Sequence, residues 1–328
     1  MERATTVPAV PTAPGAQEVS HRGAGRRTAD VELVSVDSMA VYRGMDLGTT
    51  KPSPEVRAEV RHHLVDLVDP AEEFTVTRFQ EAARAAVAGI AARGNRTMLV
   101  GGTGLYLRSV TDGLEFPGRF DGVAAELRSA LDSRGPVGTP ERAAAVAGLR
   151  DRLLVLDPVA ASRTEAGNER RLVRALEVTL GSGRPFSSFG PGLGRYPPTS
   201  VAMVGVRHDP ADTDRRIAVR FTRMLDSGLL DEVRALAARP RGLSRTARQA
   251  LGYRELLAHV EQGVPLAEAV DEAVRRTRRF ARRQWAWFRR DPRIEWVDPD
   301  DDPVAAIVAR LEGPTHPPGP VRDCGSLP

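Results

Sequence analysis

The sequence predicts an α/β fold, a parallel sheet flanked by helices and interrupted by a helical insertion. Three runs of residues carry that prediction. Val31 to Val36, Val-Glu-Leu-Val-Ser-Val, is short, nearly continuously apolar and rich in β-branched residues, the pattern of a strand covered on both faces. Val76 to Arg93 sets Phe79, Ala82, Ala83, Ala86, Val87 and Ile90 at helical spacing and ends at Gly94, a residue suited to the left-handed position after a helix. Thr97 to Val100 then reads as another strand, so strand, helix and strand follow one another at the spacing of a parallel crossover unit.

Residues 1–30 are rich in Ala, Pro, Gly and Thr and poor in apolar residues, so no ordered element is expected before Val31. After the first strand, Leu64 to Leu67 is a second strand candidate. Ligands of open parallel sheets bind beyond the C-terminal ends of the strands, which is where Asp37 and Gly101-Gly102-Thr103-Gly104 fall. From 116 to 196 the pattern turns helical with Gly/Pro punctuation, including Val123 to Arg134, Pro140 to Asp157 and Asn168 to Leu180. Ser200 to Val206 alternates back to a strand. The stretch 116–196 is therefore expected as an insertion that divides the α/β core into 31–115 and 197–311. The last third is helical up to a short strand at Ile294 to Val297, and the Pro/Gly-rich residues 312–328 read as a disordered tail.

Length and composition narrow the function classes. With 328 residues and 41% apolar content, the chain can bury one large core or two smaller ones. Lys+Arg outnumber Asp+Glu by 47 to 43, and Lys51 is the only lysine, so the cations are almost all arginine. Arginine pairs bidentately with phosphate, which suits a polyanionic partner; a general bias towards arginine would give the same count. The one cysteine, Cys324, has no partner in the chain for a disulfide or a thiolate metal site, which fits a reducing cytoplasm. No window reaches the roughly 18 apolar residues of a membrane span, and the first residues lack a signal-peptide core. A soluble cytoplasmic monomer is the expectation.

The chemistry-bearing residues cluster in motifs. Asp37-Ser38-Met39-Ala40-Val41-Tyr42-Arg43-Gly44-Met45-Asp46-Leu47-Gly48-Thr49-Thr50-Lys51-Pro52 is followed by His62-His63-Leu64-Val65-Asp66 and Gly101-Gly102-Thr103-Gly104-Leu105-Tyr106. Further on come Arg171-Leu172-Val173-Arg174-Ala175-Leu176-Glu177 and Ala250-Leu251-Gly252-Tyr253-Arg254-Glu255. In order and spacing these stretches resemble the tRNA dimethylallyltransferases, the tRNA isopentenyltransferase or IPP transferase family, over roughly Glu32 to Val297. The resemblance implies a core of the P-loop nucleotide-hydrolase type. It also implies transfer of a dimethylallyl group from dimethylallyl diphosphate to N6 of an adenosine beside the tRNA anticodon, with Mg2+ on the diphosphate.

By that resemblance Asp37 is the base that takes or orients the amine proton, and Thr103 contacts the target nucleotide. Read alone, Asp37 would equally cap the turn that follows it, and a Gly-Gly-Thr-Gly turn could serve any tight connection. The resemblance assigns tRNA contacts to Asp37, Ser38, Met39, Ala40, Thr103, Arg170, Arg171, Arg174, Arg248, Gln249, Gly252, Tyr253, Arg278 and Arg282, with the anticodon stem-loop as partner. Arg275, Arg278, Arg279 and Arg282 fall on one helical stripe suited to an RNA backbone, while Phe280, Trp287 and Phe288 are expected to dock inward. His62 and His63 point to opposite sides of a strand and so make poor joint metal ligands.

One part of the pattern departs from the family. A member is expected to open with a buried strand and Gly-Pro-Thr-Ala-Ser/Ala-Gly-Lys-Ser/Thr running into a helix, whose amides, dipole and lysine hold the diphosphate. Here Val10-Pro11-Thr12-Ala13-Pro14-Gly15-Ala16-Gln17 stands instead, with Ala16 at the lysine position and Gln17 at the hydroxyl position. Thr12, Ala13, Gly15, Ala16 and Gln17 are the remnants of that diphosphate site. Pro8 suits a central strand poorly, and Gly23 and Gly25 each cost a helix roughly 1 kcal/mol against alanine. Two readings account for the abrupt onset of the pattern at Val31. Either the residues before it are not the native ones, as after a frame error, or the protein is a pseudoenzyme that binds tRNA without prenylating it.

Overall fold

Two parallel sheets lie at the centre of the computed structural model, which describes residues 30–190, 192–298 and 302–312. The chain begins with β1 (Val31–Ser35), α1 (Pro54–Glu59), β2 (His62–His63), α2 (Val76–Ala92), β3 (Arg96–Val100) and α3 (Gly104–Thr111). Four helices follow, α4 (Asp121–Asp132), α5 (Pro140–Leu156), α6 (Pro158–Arg163) and α7 (Glu169–Ser182). The chain returns through β4 (Met203–Val206), α8 (Pro210–Asp226), α9 (Leu229–Ala237), α10 (Tyr253–Gln262), α11 (Leu266–Phe288), β5 (Ile294–Val297) and α12 (Pro303–Glu312).

β1 is flanked on both sides by parallel partners, with Leu33 opposite His62 on β2 and Val31 to Ser35 opposite Arg96 to Val100 on β3. α2 starts where the Thr75 side chain accepts the Arg78 N–H and ends before Gly94, whose φ is +76°. Its buried residues Phe79, Ala83 and Ile90 share one face and lie in the core.

The strand expected at Leu64 to Leu67 is not there. β2 is confined to His62–His63, because Leu64 and Asp66 adopt left-handed φ values of 63° and 58° that break an extended run. Asp66 and Val68 instead donate their N–H groups to Ala40 and Val41, tying this segment to the turn after β1. Lys51 secures the same region. Its ammonium, almost wholly buried, donates to the Tyr42 carbonyl at 2.5 Å, to Asp46 at 2.7 Å and to Asp66 at 2.6 Å.

Elsewhere the element limits shift for local reasons. α5 ends at Leu156 because Asp157 leaves helical geometry and caps α6, accepting from Ala160 N at 2.9 Å ahead of Pro158. β4 starts at Met203 rather than Ser200. Glu312, expected in the tail, is the last residue of α12, while residues 1–29 and 313–328 lie outside the described residues.

The apolar core is divided. One cluster joins the first sheet to α2, α3 and the helices α8 to α11 through Val34, Val36, Phe79, Phe221, Leu229 and Tyr253. A second, sharing no residue with it, packs α4 to α7 together through Leu127, Leu131, Leu153, Leu172 and Leu176.

The sheets themselves do not join. β2-β1-β3 form one and β4-β5 the other, and neither the outer edge of β3 nor that of β4 is paired among the described residues. A cavity of about 2060 Å³ lies between them, walled by β3, β4 and the α11 residues Gln284, Trp285 and Phe288. Val31 and Val100 are 42% and 46% exposed, although apolar strand residues of a parallel sheet are ordinarily covered on both faces.

Candidate active site

Asp37 and Thr103 come together at the C-terminal ends of β1 and β3. The Val36 N–H donates to the Val100 carbonyl at 2.7 Å and the Thr103 N–H to the Val36 carbonyl at 3.2 Å, so the two chain ends stay in contact beyond the strands. Gly101 makes this approach possible: a Cβ there would stand 2.4 Å from the Val36 carbonyl oxygen, which backbone cannot yield. The Ser38 N–H then donates to Thr103 Oγ1 at 3.3 Å.

The geometry shows Asp37 as a cap and leaves its second oxygen available. Its Oδ1 caps the next turn, accepting from Met39 N at 2.7 Å and Ala40 N at 3.3 Å. Its Oδ2 has no hydrogen-bond partner among the described residues, so a half-buried carboxylate fixed through Oδ1 keeps one oxygen available, one residue before the Ser38 N–H that donates to Thr103. Behind them Tyr106 stacks on Phe79 with ring centroids 4.1 Å apart. Burial, with smaller contributions from Tyr42 and Asp37, pushes the Tyr106 phenol well above its ordinary range, so it stays neutral at every working pH.

α11 closes over the Gly-Gly-Thr-Gly turn. Gln284 Nε2 donates to the Gly102 carbonyl at 2.8 Å, and the Trp287 indole lies so near Gly104 that a Cβ there would be 2.1 Å from Nε1. Sequence reasoning did not assign Gln284 to the site and read Trp287 only as a packing residue. The available signal was a pair of consecutive glycines, which marks a close approach without naming what approaches.

The remaining candidates divide. Arg170, Arg171 and Gln249 are exposed. Arg174 is engaged within the protein, with Nη1 on Glu177 at 2.5 Å and Nη2 on the Pro117 and Gly118 carbonyls at 2.9 and 3.1 Å. Arg248 pairs with Glu261. Arg278 donates to the Asp214 carbonyl at 3.2 Å and Arg282 to the Asp214 carboxylate at 2.6 Å, while Arg275 and Arg279 share Glu272. Phe280 is exposed rather than docked inward.

Ala40, Gly252 and Tyr253 are buried. The Tyr253 hydroxyl donates to Glu232 Oε1 at 2.5 Å and accepts the Gly48 N–H at 3.1 Å, while Glu232 Oε2 takes the Asp46 and Leu47 N–H groups. Tyr253 thus braces the loop after Asp37 from beneath. His63 Nε2 lies 2.6 Å from Glu32 Oε2 and His62 Nδ1 2.6 Å from the Val60 carbonyl, and no group of three or more His, Cys, Asp or Glu suited to a metal occurs among the described residues. Thr12, Ala13, Gly15, Ala16 and Gln17 lie outside the described residues.

Comparison with known proteins points one way. A family model described as IPP transferase matches residues 40–291. The tRNA dimethylallyltransferase of Streptomyces coelicolor is 45% identical over 266 residues, 81% of each chain, and that of Desulforudis audaxviator is 42% identical over 307 residues, 92% of this chain and 96% of the relative. Among solved structures, the full-length tRNA isopentenylpyrophosphate transferase of Bacillus halodurans is 34% identical and superimposes with a TM-score of 0.58 over 86% of this chain and 88% of its own. A eukaryotic dimethylallyltransferase acting on tRNA shares the fold at 22% identity, with a TM-score of 0.64 over 85% of this chain and 71% of its own.

Proposed function

This chain belongs to the IPP transferase family, and from that premise we propose that its site is built to move a dimethylallyl group from dimethylallyl diphosphate to N6 of an adenosine beside the tRNA anticodon. The observation that carries the reading is Asp37 Oδ2, which has no partner among the described residues while Oδ1 is held by the cap and the neighbouring Ser38 N–H is tied to Thr103. An aromatic exocyclic amine is a weak nucleophile until a group within hydrogen-bond reach accepts its proton. In the proposed step N6 attacks the carbon bearing the diphosphate. The N–C bond forms, the C–O bond breaks, the N6 proton passes to Asp37 Oδ2, and diphosphate leaves with the bonding electrons. Thr103 orients the nucleotide, and the exposed Arg170 and Arg171 supply phosphate contacts from α7.

The residues present do not fit the magnesium that the family implies. Ala16 and Gln17 stand where a lysine and a hydroxyl would hold the diphosphate and its metal, so no step here runs through Mg2+. The same substitution favours a second reading, a protein that binds tRNA without transfer. We expect this polypeptide to be much less active than one with an intact loop, because several charge-assisted contacts to the leaving group are missing.

The test is a mass-spectrometric transfer assay with an anticodon stem-loop, dimethylallyl diphosphate and magnesium. It compares the chain as written with a version carrying Gly-Pro-Thr-Ala-Ser-Gly-Lys-Ser at residues 10–17 and a regular helix after it. Prenylated RNA from the repaired version alone supports the transferase reading and locates the defect. RNA binding by both versions with product from neither leaves the non-catalytic reading standing.

A further inference from the structure

The chain leaves the first core after α3 and returns before β4, and at both crossings the backbone is held by buried polar groups. Asp112, directly after α3, has a side chain only 1% exposed. Arg108 Nε donates to Asp112 Oδ2 at 2.6 Å, Arg293 Nη1 to Asp112 Oδ1 at 2.8 Å, and Arg293 also grips both oxygens of Asp291 at 2.8 and 2.6 Å.

Each guanidinium keeps donors for the returning chain. Arg108 reaches the Leu193 and Arg195 carbonyls, both at 2.5 Å, and Arg293 reaches the Pro197 carbonyl at 2.9 Å. Tyr196 lies against both, its ring centroid 4.7 Å from Arg108 Cζ and 5.6 Å from Arg293 Cζ. On the outgoing side, Gln80 donates to the Ser109 and Leu114 carbonyls at 2.6 and 2.9 Å. Arg174 and Glu177 of α7 hold Pro117, Gly118 and Phe120.

Burying two arginines with two aspartates is unfavourable unless every charge is paired, and well-packed apolar side chains would join these elements at least as strongly. What the guanidiniums add is direction, because a planar fork fixes its acceptors in angle as well as distance. Direction matters at this place, since the two apolar cores share no residue. α3 is the rigid link: Thr103 precedes its first residue and Asp112 follows its last.

We propose that Arg108, Asp112, Tyr196 and Arg293 form a clamp at the Asp112 end of α3 that fixes the direction of the α4–α7 unit relative to that helix, and that they are positioning residues for the RNA substrate. The clamp rests on geometry alone, whereas its consequence for RNA rests on the functional reading above. Asp112 lies far below the ordinary exposure of a carboxylate, so its removal risks misfolding. The informative changes are Tyr196→Ala, which leaves every buried charge paired, and Arg293→Gln, with Tyr196→Phe as the conservative control.

The experiment places spin labels at Val137→Cys and Ala85→Cys on a Cys324→Ser background. It measures their distance distribution in the full chain and the affinity of each variant for an anticodon stem-loop. Tyr196→Ala and Arg293→Gln should broaden or shift the distribution and weaken RNA binding roughly three- to tenfold with helix content unchanged, while Tyr196→Phe behaves as the parent. A distribution that stays narrow in both variants overturns the clamp. A broadened one with parental affinity overturns the role in RNA positioning, and a parent that binds no RNA removes the functional reading while the distances still decide the clamp.

Discussion

Asp37 caps the following turn through Oδ1 and, in the proposed reaction, takes the N6 proton through Oδ2, and substitutions separate the two. Asp37→Asn keeps an oxygen for the Met39 and Ala40 N–H groups but no longer accepts a proton. In the repaired protein it should lower transfer by roughly 10²- to 10⁴-fold with little change in the melting temperature. Asp37→Ala should lose the cap as well and cost about 1 kcal/mol of stability. Transfer by Asp37→Asn at the parental rate would remove the proposed base. Glu32 illustrates a purely structural carboxylate. It is buried at the start of β1 and accepts from Arg93 at 2.9 and 2.7 Å, from Asn95 at 2.8 Å and lies 2.6 Å from His63. The Arg93 hydrogen bonds first, then Asn95 and His63, hold its carboxyl far below the ordinary glutamate value of 4.5. A carboxylate depressed on folding stabilises the protein fully above its unfolded value, and that contribution is lost progressively as the pH falls below it towards the depressed folded value. Denaturant midpoints measured from pH 7 down to pH 3 should therefore fall more steeply for the parent than for Glu32→Gln; parallel curves would sink this account.

At the scale of elements, α11 determines where the glycine turn sits. Gln284 and Trp287 occupy space that any side chain at Gly102 or Gly104 would need, so the helix and the turn are fitted to each other. Gly104→Ala should cost about 1–3 kcal/mol through overpacking, read from the denaturant midpoint, and less when Trp287→Ala is also present. Equal costs in both backgrounds would mean that the indole does not define the turn. The arginine stripe on α11 reads differently once its partners are known. Periodicity puts Arg275, Arg278, Arg279 and Arg282 on one stripe, of which Arg278 is half-buried and the other three exposed, and Glu272 and Asp214 already hold all four, so the stripe offers less free charge than its composition suggests. A surface ion pair of this kind contributes about 0–1 kcal/mol and can open for a phosphate. Tyr253 shows the opposite limit, since an aromatic residue in a recognisable motif turned inward to brace Gly48 through its hydroxyl.

At the scale of the molecule, the edges of β3 and β4 that have no partner strand among the described residues, and the cavity of about 2060 Å³ between them, matter most. A parallel sheet interrupted there leaves Val31 and Val100 half exposed, so the repaired strand, loop and helix should raise both the denaturant midpoint and the m-value by covering this surface. An unchanged m-value would mean that the added segment does not enter the sheet. The α/β class, β1, α2, β3 and the family motifs were legible in the sequence because each depends on contacts within a few residues. Apolar spacing reports which side of an element is buried, and Thr75 and Gly94 mark the ends of α2 locally. The left-handed Leu64 and Asp66 were not legible, since carbonyls of the turn after β1 pull that segment out of strand geometry. The sequence by itself thus determined β1, α2 and β3, the α/β class and the family. The tertiary structure alone decided that Thr103 meets Ser38 across 65 residues, Gln284 meets Gly102 across 182 and Arg293 meets Asp112 across 181, because such pairings depend on how whole elements pack and leave no periodic trace in the chain.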